Sequence, residues 1–305
     1  MVLAIAPVAA TAVLVVALAA VNADHDLILR LAGYTGGEMA SPPARRGAAL
    51  LGPPAFNDRA QAGVLLGAAL REVLRAERGG DPERGRALPA PAPSPLLPGG
   101  RAPRVFALPR GGVPVAAGVA RALGATLDAL MVRKIGHPAA PELGLGAIAE
   151  DGRGGVAEPY YDVEMLATVG LTAADLADVV ARERAELARR VAVYGRAPGA
   201  SGDGPAGPDL AGELVIVVDD GLATGVTARA ALRAVRARGA ARTVLAVPVA
   251  PPSAAQAIKK ETDEVVTLVT PRRFRSVGEW YADFGQLTDA DVLALLCPRP
   301  ENGVP

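Results

Sequence analysis

Two adjacent aspartates, Asp219 and Asp220, are the residues of this 305-residue chain whose position is most informative about chemistry. They follow the apolar run LVIVV at 214–218. Five consecutive apolar residues, rich in valine and isoleucine, are typical of a strand buried on both faces in a parallel sheet. Because ligands of such sheets bind beyond the carboxyl ends of the strands, the two carboxylates are predicted to face a ligand.

A loop of small residues, from Gly221 to Thr227, follows the aspartates and leads into a helix predicted to begin near Thr227 or Ala228. Small side chains let backbone amides approach a ligand, and the free N–H groups at the start of a helix attract phosphate. The hydroxyl groups of Thr224 and Thr227 add donors, while the carboxylates can accept hydrogen bonds from vicinal sugar hydroxyls. The combination favours a sugar phosphate as ligand, with a buried strand and an ordinary Asp-Gly turn as the alternative.

The whole stretch 214–227, LVIVVDDGLATGVT, resembles the 5-phosphoribosyl 1-diphosphate (PRPP) binding signature of type I phosphoribosyltransferases. It is not a P-loop, since no Gly-Lys-Ser/Thr follows the required gap, and its glycine spacing does not fit a dinucleotide site. The resemblance implies that Asp219 and Asp220 hold the ribose hydroxyls, directly or through metal-bound water. It also implies a 5-phosphate site made by Ala223, Thr224, Gly225, Val226 and Thr227.

A second loop with phosphate-binding character, LPRGGVPVA, covers residues 108–116. Arg110 can offer a planar pair of donors to phosphate oxygens, and Gly111 and Gly112 give the backbone conformations closed to other residues. In the family this position is the pyrophosphate loop, and the resemblance implies a non-proline cis bond at the peptide entering Gly111. The alternative is a simple Gly-Gly turn before a helix.

A third candidate is the basic pair Arg133 and Lys134, in VRKIGHP at 132–138. Lys134 is one of only three lysines in the chain. The resemblance implies a mobile catalytic loop here, whose basic residues close over the diphosphate. His137 could donate to a diphosphate as well, but Pro138 and the nearby glycines mark a turn, which favours an exposed loop residue.

Aromatic residues, which are scarce in this chain, concentrate near the carboxyl end. Family members often cover the active site with a hood of terminal segments, and a flat aromatic surface there could stack on a planar acceptor. The alternative, which we favour, is that these side chains pack the hood onto the core. The candidate hood residues are Trp280, Tyr281 and Phe284.

Hydrophobic periodicity predicts the elements that position these residues. Strands alternate with helices, which indicates an α/β fold with a parallel sheet flanked by helices and right-handed crossovers. The resemblance adds a small hood from terminal segments. The first helix is expected at 56–78 with Asn57 or Asp58 as N-cap. Further strands are predicted at 104–109, 127–133, 243–248 and 264–269, further helices at 163–194 and 253–260, and a loop-like segment with a short extended piece at 134–151.

Composition indicates an apolar segment and linker at 1–54, and the resemblance implies a phosphoribosyltransferase-like domain at 55–297, followed by a tail at 298–305. Gly/Pro-rich insertions are predicted near 79–103 and 195–212. Residues 1–21 carry no charge and are long enough to span a bilayer. They leave open a membrane anchor, a buried helix, or a translation start assigned too far upstream.

Charge and cysteine content limit the partners. The formal net charge is zero, so nothing indicates a nucleic-acid partner, and the charged face of the helix within 172–194 is expected to be solvated. The single Cys297 excludes an internal disulfide and is compatible with a cytoplasmic protein. Only two histidines occur, which disfavours a metal site built from Cys and His.

The resemblance implies a phosphoribosyltransferase that uses PRPP and Mg²⁺ to transfer a 5-phosphoribosyl group to a nitrogen acceptor, with release of pyrophosphate. Asp219, Asp220, Arg133 and Lys134 are the expected catalytic residues. The acceptor is unidentified, and a nucleobase-like molecule is expected. A non-catalytic PRPP-binding regulator is the alternative, and the resemblance also allows a homodimer.

Overall fold

A computed structural model describes residues 54–76, 102–194 and 209–297. The expectations for segment 1–21, for most of the two insertions and for the tail fall outside these residues. Among the helices described, none combines the length and apolar character needed to cross a membrane.

Eight strands form two sheets. In chain order they are β1 Arg104–Ala107, β2 Thr126–Ala129, β3 Val132–His137, β4 Ala140–Ala149, β5 Tyr160–Tyr161, β6 Leu214–Val218, β7 Arg242–Val249 and β8 Glu264–Val269. The larger sheet has the order β2-β1-β6-β7-β8, and all its pairs are parallel. This confirms the predicted α/β fold, with β6 at the centre of the sheet.

The described residues contain seven helices: α1 Arg59–Ala76, α2 Gly112–Leu123, α3 Val163–Val169, α4 Ala177–Tyr194, α5 Val226–Ala237, α6 Pro252–Ile258 and α7 Asp289–Leu296. Helices α3 and α4 contact the smaller sheet. Helix α1 begins where predicted because Asp58 caps it: the Asp58 Oδ1 atom accepts a 2.7 Å hydrogen bond from the Gln61 amide. Helices α1 and α2 pack closely through Gly63 and Gly118, whose missing side chains leave room for the facing backbone.

The core lies on both faces of the parallel sheet, as the apolar run in β6 predicts. Leu214, Ile216 and Val218 pack into the cluster that includes α1 and α2. Val215 and Val217 pack into the cluster that includes α5. Since successive side chains of a strand point to opposite faces, all five residues of β6 are buried, and the strand delivers Asp219 and Asp220 to one fixed edge.

The segment 134–151 differs from its prediction. It is not loop-like but forms an antiparallel hairpin of β3 and β4, to which β5 adds a third strand. The glycines that indicated a loop instead permit close approach: a Cβ on Gly146 would overlap the Tyr160 carbonyl oxygen. The strand predicted at 127–133 is two strands, because Leu130 and Met131 separate β2 from β3.

The second predicted linker also ends earlier than expected. Leu210, which was assigned to it, is fully buried in the cluster beneath α5.

Candidate active site

The acid pair lies against the predicted pyrophosphate loop. A Cβ on Gly111 would overlap the Asp220 carboxylate, with Cγ only 2.6 Å away, and a Cβ on Gly112 would lie 2.7 Å from the Val218 carbonyl oxygen. Gly111 has ordinary right-handed backbone angles, φ −61° and ψ −36°. These glycines are therefore needed for close approach, and the expectation that Gly111 adopts a conformation closed to other residues is wrong.

The backbone of this loop contains a non-proline cis peptide bond, between Pro109 and Arg110. The expected bond was the next one, entering Gly111. The prediction of a cis bond in this loop is confirmed, and its position is wrong by one residue.

Burial and mutual repulsion dominate the electrostatics of the acid pair. Burial raises the pKa of Asp219 well above its usual range, and the neighbouring Asp220 carboxylate raises it further. Burial also raises the pKa of Asp220, while the Arg59 guanidinium opposes that rise. Within the pair, the Asp220 amide donates a 2.9 Å hydrogen bond to the Asp219 Oδ1 atom. The site therefore stabilises the charged pair only partly, and ligand hydroxyls or a cation would add to that stabilisation.

Arg59 is a site residue that the sequence analysis missed. Its Nε atom lies 2.9 Å from the Asp220 Oδ2 atom, and its NH1 atom donates a 2.9 Å hydrogen bond to the Gly285 carbonyl oxygen. Only the position of Arg59 after the N-cap Asp58 indicated that it begins a helix. No local pattern predicts a contact with a residue 161 positions away.

The predicted phosphate loop leads into α5, as expected. The helix begins at Val226, one residue before Thr227, which was the earlier of the two predicted starts. Gly225 caps the helix with φ 78°, a left-handed conformation that glycine adopts without strain. Ala223 and Thr224 are exposed, Thr227 is half-buried, and Gly225 and Val226 are buried. The first amides of a helix have no intrahelical partner, so this turn presents N–H groups beside two hydroxyls.

Arg110 is directed toward the last helix of the domain. Its NH1 atom lies 3.8 Å from the Asp289 Oδ1 atom at the start of α7, and both side chains are exposed. An exposed ion pair of this length contributes little to stability, so the side chain is available for a ligand.

The basic pair of β3 is divided between two faces of the hairpin. Lys134 pairs across the strands with Ala147, which packs beside Val226 at the start of α5, whereas Arg133 pairs with Ile148 on the opposite face. The Arg133 Nε atom lies 2.7 Å from a carboxylate oxygen of Glu183 in α4. By its strand pairing, Lys134 therefore belongs to the hairpin face that packs against the start of α5, and Arg133 belongs to the face that is ion-paired with α4.

Neither basic side chain contacts the aspartates in this conformation. The Lys134 Nζ atom donates to the Glu142 carbonyl oxygen within the hairpin. A cleft of about 500 Å³ separates the hairpin from α4, and its lining includes Arg133, Lys134 and His137. The His137 Nδ1 atom accepts a 3.0 Å hydrogen bond from the Ala139 amide at the turn. His137 is half-buried and is the last residue of β3, so the expectation of an exposed loop residue is wrong.

The carboxyl-terminal aromatic residues form a packed cluster next to the acid pair. The Tyr281 ring lies 5.3 Å from that of Phe56 and 5.1 Å from that of Phe284, measured between centroids. The Tyr281 hydroxyl donates a 2.5 Å hydrogen bond to the Asp220 carbonyl oxygen, and the ring is buried. Trp280 is half-buried and packs against the same cluster. These contacts agree with the packing alternative for the hood.

The oxygen atoms of the acid pair suit a magnesium ion that takes some of its ligands from the protein and the others from a substrate. Across the described ranges, no group of three or more Cys, His, Asp or Glu side chains could hold a metal by itself. Arg59 occupies the Asp220 Oδ2 atom, which leaves few carboxylate oxygens for direct coordination. Mg²⁺ often keeps several waters and binds through one or two carboxylates plus phosphate oxygens, so the residues present fit that kind of site.

Comparison with known proteins adds an independent result. The sequence model of a protein family, the phosphoribosyl transferase domain, matches residues 99–282. Two Mycobacterium tuberculosis proteins, from strains CDC 1551 and H37Rv, are each 42% identical over 197 residues and carry the provisional name phosphoribosyl transferase. The alignment covers 65% of this chain and 42% of each relative, so the chain spans less than half of their length.

A solved structure from Thermus thermophilus is also similar. It is 38% identical in sequence and superposes with a TM-score of 0.57. The superposition covers 79% of this chain and 97% of the Thermus protein.

Proposed function

The chain belongs to the phosphoribosyl transferase family, and we propose that it transfers a 5-phosphoribosyl group from PRPP to a nitrogen acceptor and releases pyrophosphate. One observation carries the proposal: the acid pair, the Gly111–Gly112 turn and the loop into α5 converge at the carboxyl end of β6. This arrangement offers carboxylates for ribose hydroxyls next to backbone amides for phosphate.

Each ligand group has a proposed partner. The 5-phosphate is held by the turn from Ala223 to Thr227, and the ribose hydroxyls by Asp219 and Asp220. Arg110 and the backbone of Gly111 and Gly112 face the diphosphate. Because the backbone groups among them are held by the fold before the substrate arrives, they stabilise charge without reorganising as the reaction proceeds.

The bond between the anomeric carbon and the diphosphate breaks as the acceptor nitrogen attacks, and negative charge then grows on the leaving diphosphate. Lys134, on the hairpin face that packs against the start of α5, is proposed to neutralise part of that charge. Mg²⁺, held by Asp219 or Asp220 through water and by substrate oxygens, would supply further positive charge. No covalent nucleophile is required.

A second candidate is a PRPP-binding protein without transferase activity. It is favoured by the ion pair of Arg133 with Glu183, which directs one of the expected diphosphate cations away from the phosphate loop. The two candidates share the ligand and differ in turnover. An acceptor belongs to the transferase alone, whereas a homodimer and a cytoplasmic location are part of the proposal in both cases.

Isothermal titration of the purified chain with PRPP, with and without Mg²⁺, tests the binding site. We expect magnesium-dependent binding of PRPP that is tighter than binding of ribose 5-phosphate. Absence of PRPP binding would refute both candidates. Pyrophosphate release with a panel of nitrogenous acceptors then separates the transferase from the binding protein, and Asp220→Asn is the negative control.

A further inference from the structure

Arg59 connects three separate parts of the chain at the acid pair. It is the first residue of α1, and it binds both the Asp220 carboxylate and the Gly285 carbonyl oxygen. Its guanidinium carbon lies 3.7 Å from the centroid of the Phe284 ring. Only 12% of the Arg59 side chain and 15% of the Asp220 side chain are exposed. An ion pair this well shielded is weakened much less by salt than a surface pair.

These contacts leave Asp220 a single orientation. Arg59 occupies the Oδ2 atom, Gly111 packs against the carboxylate, and the Tyr281 hydroxyl holds the Asp220 backbone through its carbonyl oxygen. Among the described residues, Arg59 is the one side chain that donates a hydrogen bond to this carboxylate, and it does so at the Oδ2 atom. A carboxylate fixed through one oxygen presents the other one in a defined direction.

We propose that Arg59 is a positioning residue of the PRPP site, which holds the Asp220 Oδ2 atom so that the Oδ1 atom faces a ribose hydroxyl. This inference rests on the proposed function. It adds that the ribose contact depends on α1 and on the segment around Gly285, neither of which belongs to the recognised binding motif. Without Arg59 the carboxylate would be free to rotate, and it would lose the cation that stabilises its charge.

The proposal predicts an effect confined to the ribose part of the ligand. PRPP and ribose 5-phosphate both carry the ribose hydroxyls, whereas inorganic pyrophosphate does not. A general role in folding would weaken all three ligands together. A positioning role would weaken only the two that contain ribose.

The experiment compares wild type with Arg59→Met, Arg59→Lys and Arg75→Met by calorimetry in the presence of Mg²⁺. Methionine keeps an apolar stem against Phe284 but removes the charge. Lysine keeps the charge, although one ammonium group does not reproduce the fork that spans Asp220 and Gly285. Arg75→Met is the matched control, since Arg75 lies at the other end of α1 and, among the described residues, pairs with the exposed Glu72.

We expect Arg59→Met to bind PRPP and ribose 5-phosphate at least about tenfold more weakly than wild type, which is the effect of losing one charged hydrogen bond. Arg59→Lys should recover part of this loss. Pyrophosphate should bind all variants alike, and Arg75→Met should match wild type for every ligand.

Three results would overturn the inference. If Arg59→Met binds PRPP as wild type does, Asp220 needs no positioning, and the proposed function stands. If pyrophosphate binding falls equally, the role of Arg59 is general. If wild type binds no PRPP, the proposed function and this inference fail together. Should Arg59→Met not fold, as judged by its melting curve, the same comparison is made with Arg59→Lys.

Discussion

The contact between Gly111 and Asp220 makes Gly111→Ala the most informative single substitution. An added methyl group would lie 2.6 Å from the Asp220 Cγ atom and would overlap one carboxylate oxygen. Carbon atoms in contact normally lie about 3.5–4 Å apart, so the carboxylate must move by about 1 Å. That movement breaks the 2.9 Å ion pair with Arg59.

The backbone itself imposes no penalty on this substitution. Gly111 has φ −61° and ψ −36°, which alanine adopts readily. Overpacking costs about 1–3 kcal/mol, and the smaller entropy of the unfolded alanine chain offsets about 0.4–1 kcal/mol of it. We therefore expect the free energy of unfolding to fall by about 0.5–2 kcal/mol. For a domain of this size, each 1 kcal/mol lowers the melting temperature by about 2–4 °C.

Ligand binding should change more than stability. Displacement of Asp220 removes a charged hydrogen bond worth about 1.5–3 kcal/mol to a ribose hydroxyl, which weakens PRPP binding by about ten- to a hundredfold. Titration calorimetry measures the affinity, and thermal denaturation measures the stability of the same preparation.

The matched control is Gly170→Ala, in which the backbone conformation is unfavourable for alanine but the added methyl group has room. Gly170 has φ 70°, and no atom of the described residues lies within 4 Å of an added Cβ, so alanine there is strained but meets no clash with them. We expect it to lose about 1–2 kcal/mol of stability with normal PRPP affinity. If Gly111→Ala melts and binds like wild type, the close contact between the loop and Asp220 does not exist, and the site geometry described above is wrong.

Three further predictions test other parts of the site and the fold. Lys134→Ala should lower the rate of pyrophosphate release by about a hundredfold, whereas Arg133→Ala should lower it less, because of the two only Lys134 belongs to the hairpin face that packs against the start of α5; equal losses in a steady-state assay would contradict the division of the hairpin faces. Burial raises the pKa of Glu150 from 4.5 to about 7, so its contribution to stability is present at low pH and is lost as pH rises through 7. Relative to Glu150→Gln, which can still accept from the Met131 amide, wild type should lose about 2–3 kcal/mol between pH 5 and 8 in urea titrations, and a constant difference would refute this. Gly225→Ala should cost about 1–2 kcal/mol of stability because of its φ of 78° and should weaken binding of ribose 5-phosphate, whereas unchanged affinity would exclude this turn from the phosphate site.

Several elements could be predicted closely because their signals are local. The strand β8 has the predicted bounds, Glu264–Val269, and α1 begins directly after the predicted cap Asp58. A run of apolar residues and a side chain that bonds a nearby amide act over a few residues. The candidate phosphate loop was identified in the same way, from small residues between a buried strand and a helix.

The hairpin of β3 and β4 could not be predicted, since its glycines and prolines are the residues that usually mark loops. Those glycines serve contacts with strands elsewhere, such as that of Gly146 with the Tyr160 backbone. The same limit applied to the basic pair. Strand alternation separates Arg133 from Lys134, but the predicted strand ended at Arg133, and the sequence did not indicate that a strand continues through Lys134.

The parallel sheet, the position of Asp219 and Asp220 after one of its buried strands, and the family of the chain could all be predicted, because apolar periodicity and motif spacing are properties of neighbouring residues. The surroundings of the carboxylates could not. Arg59, Gly111 and Tyr281 meet Asp220 from three elements far apart in the chain. Such contacts form only when the sheet and its helices close around one core, so no local pattern could contain them.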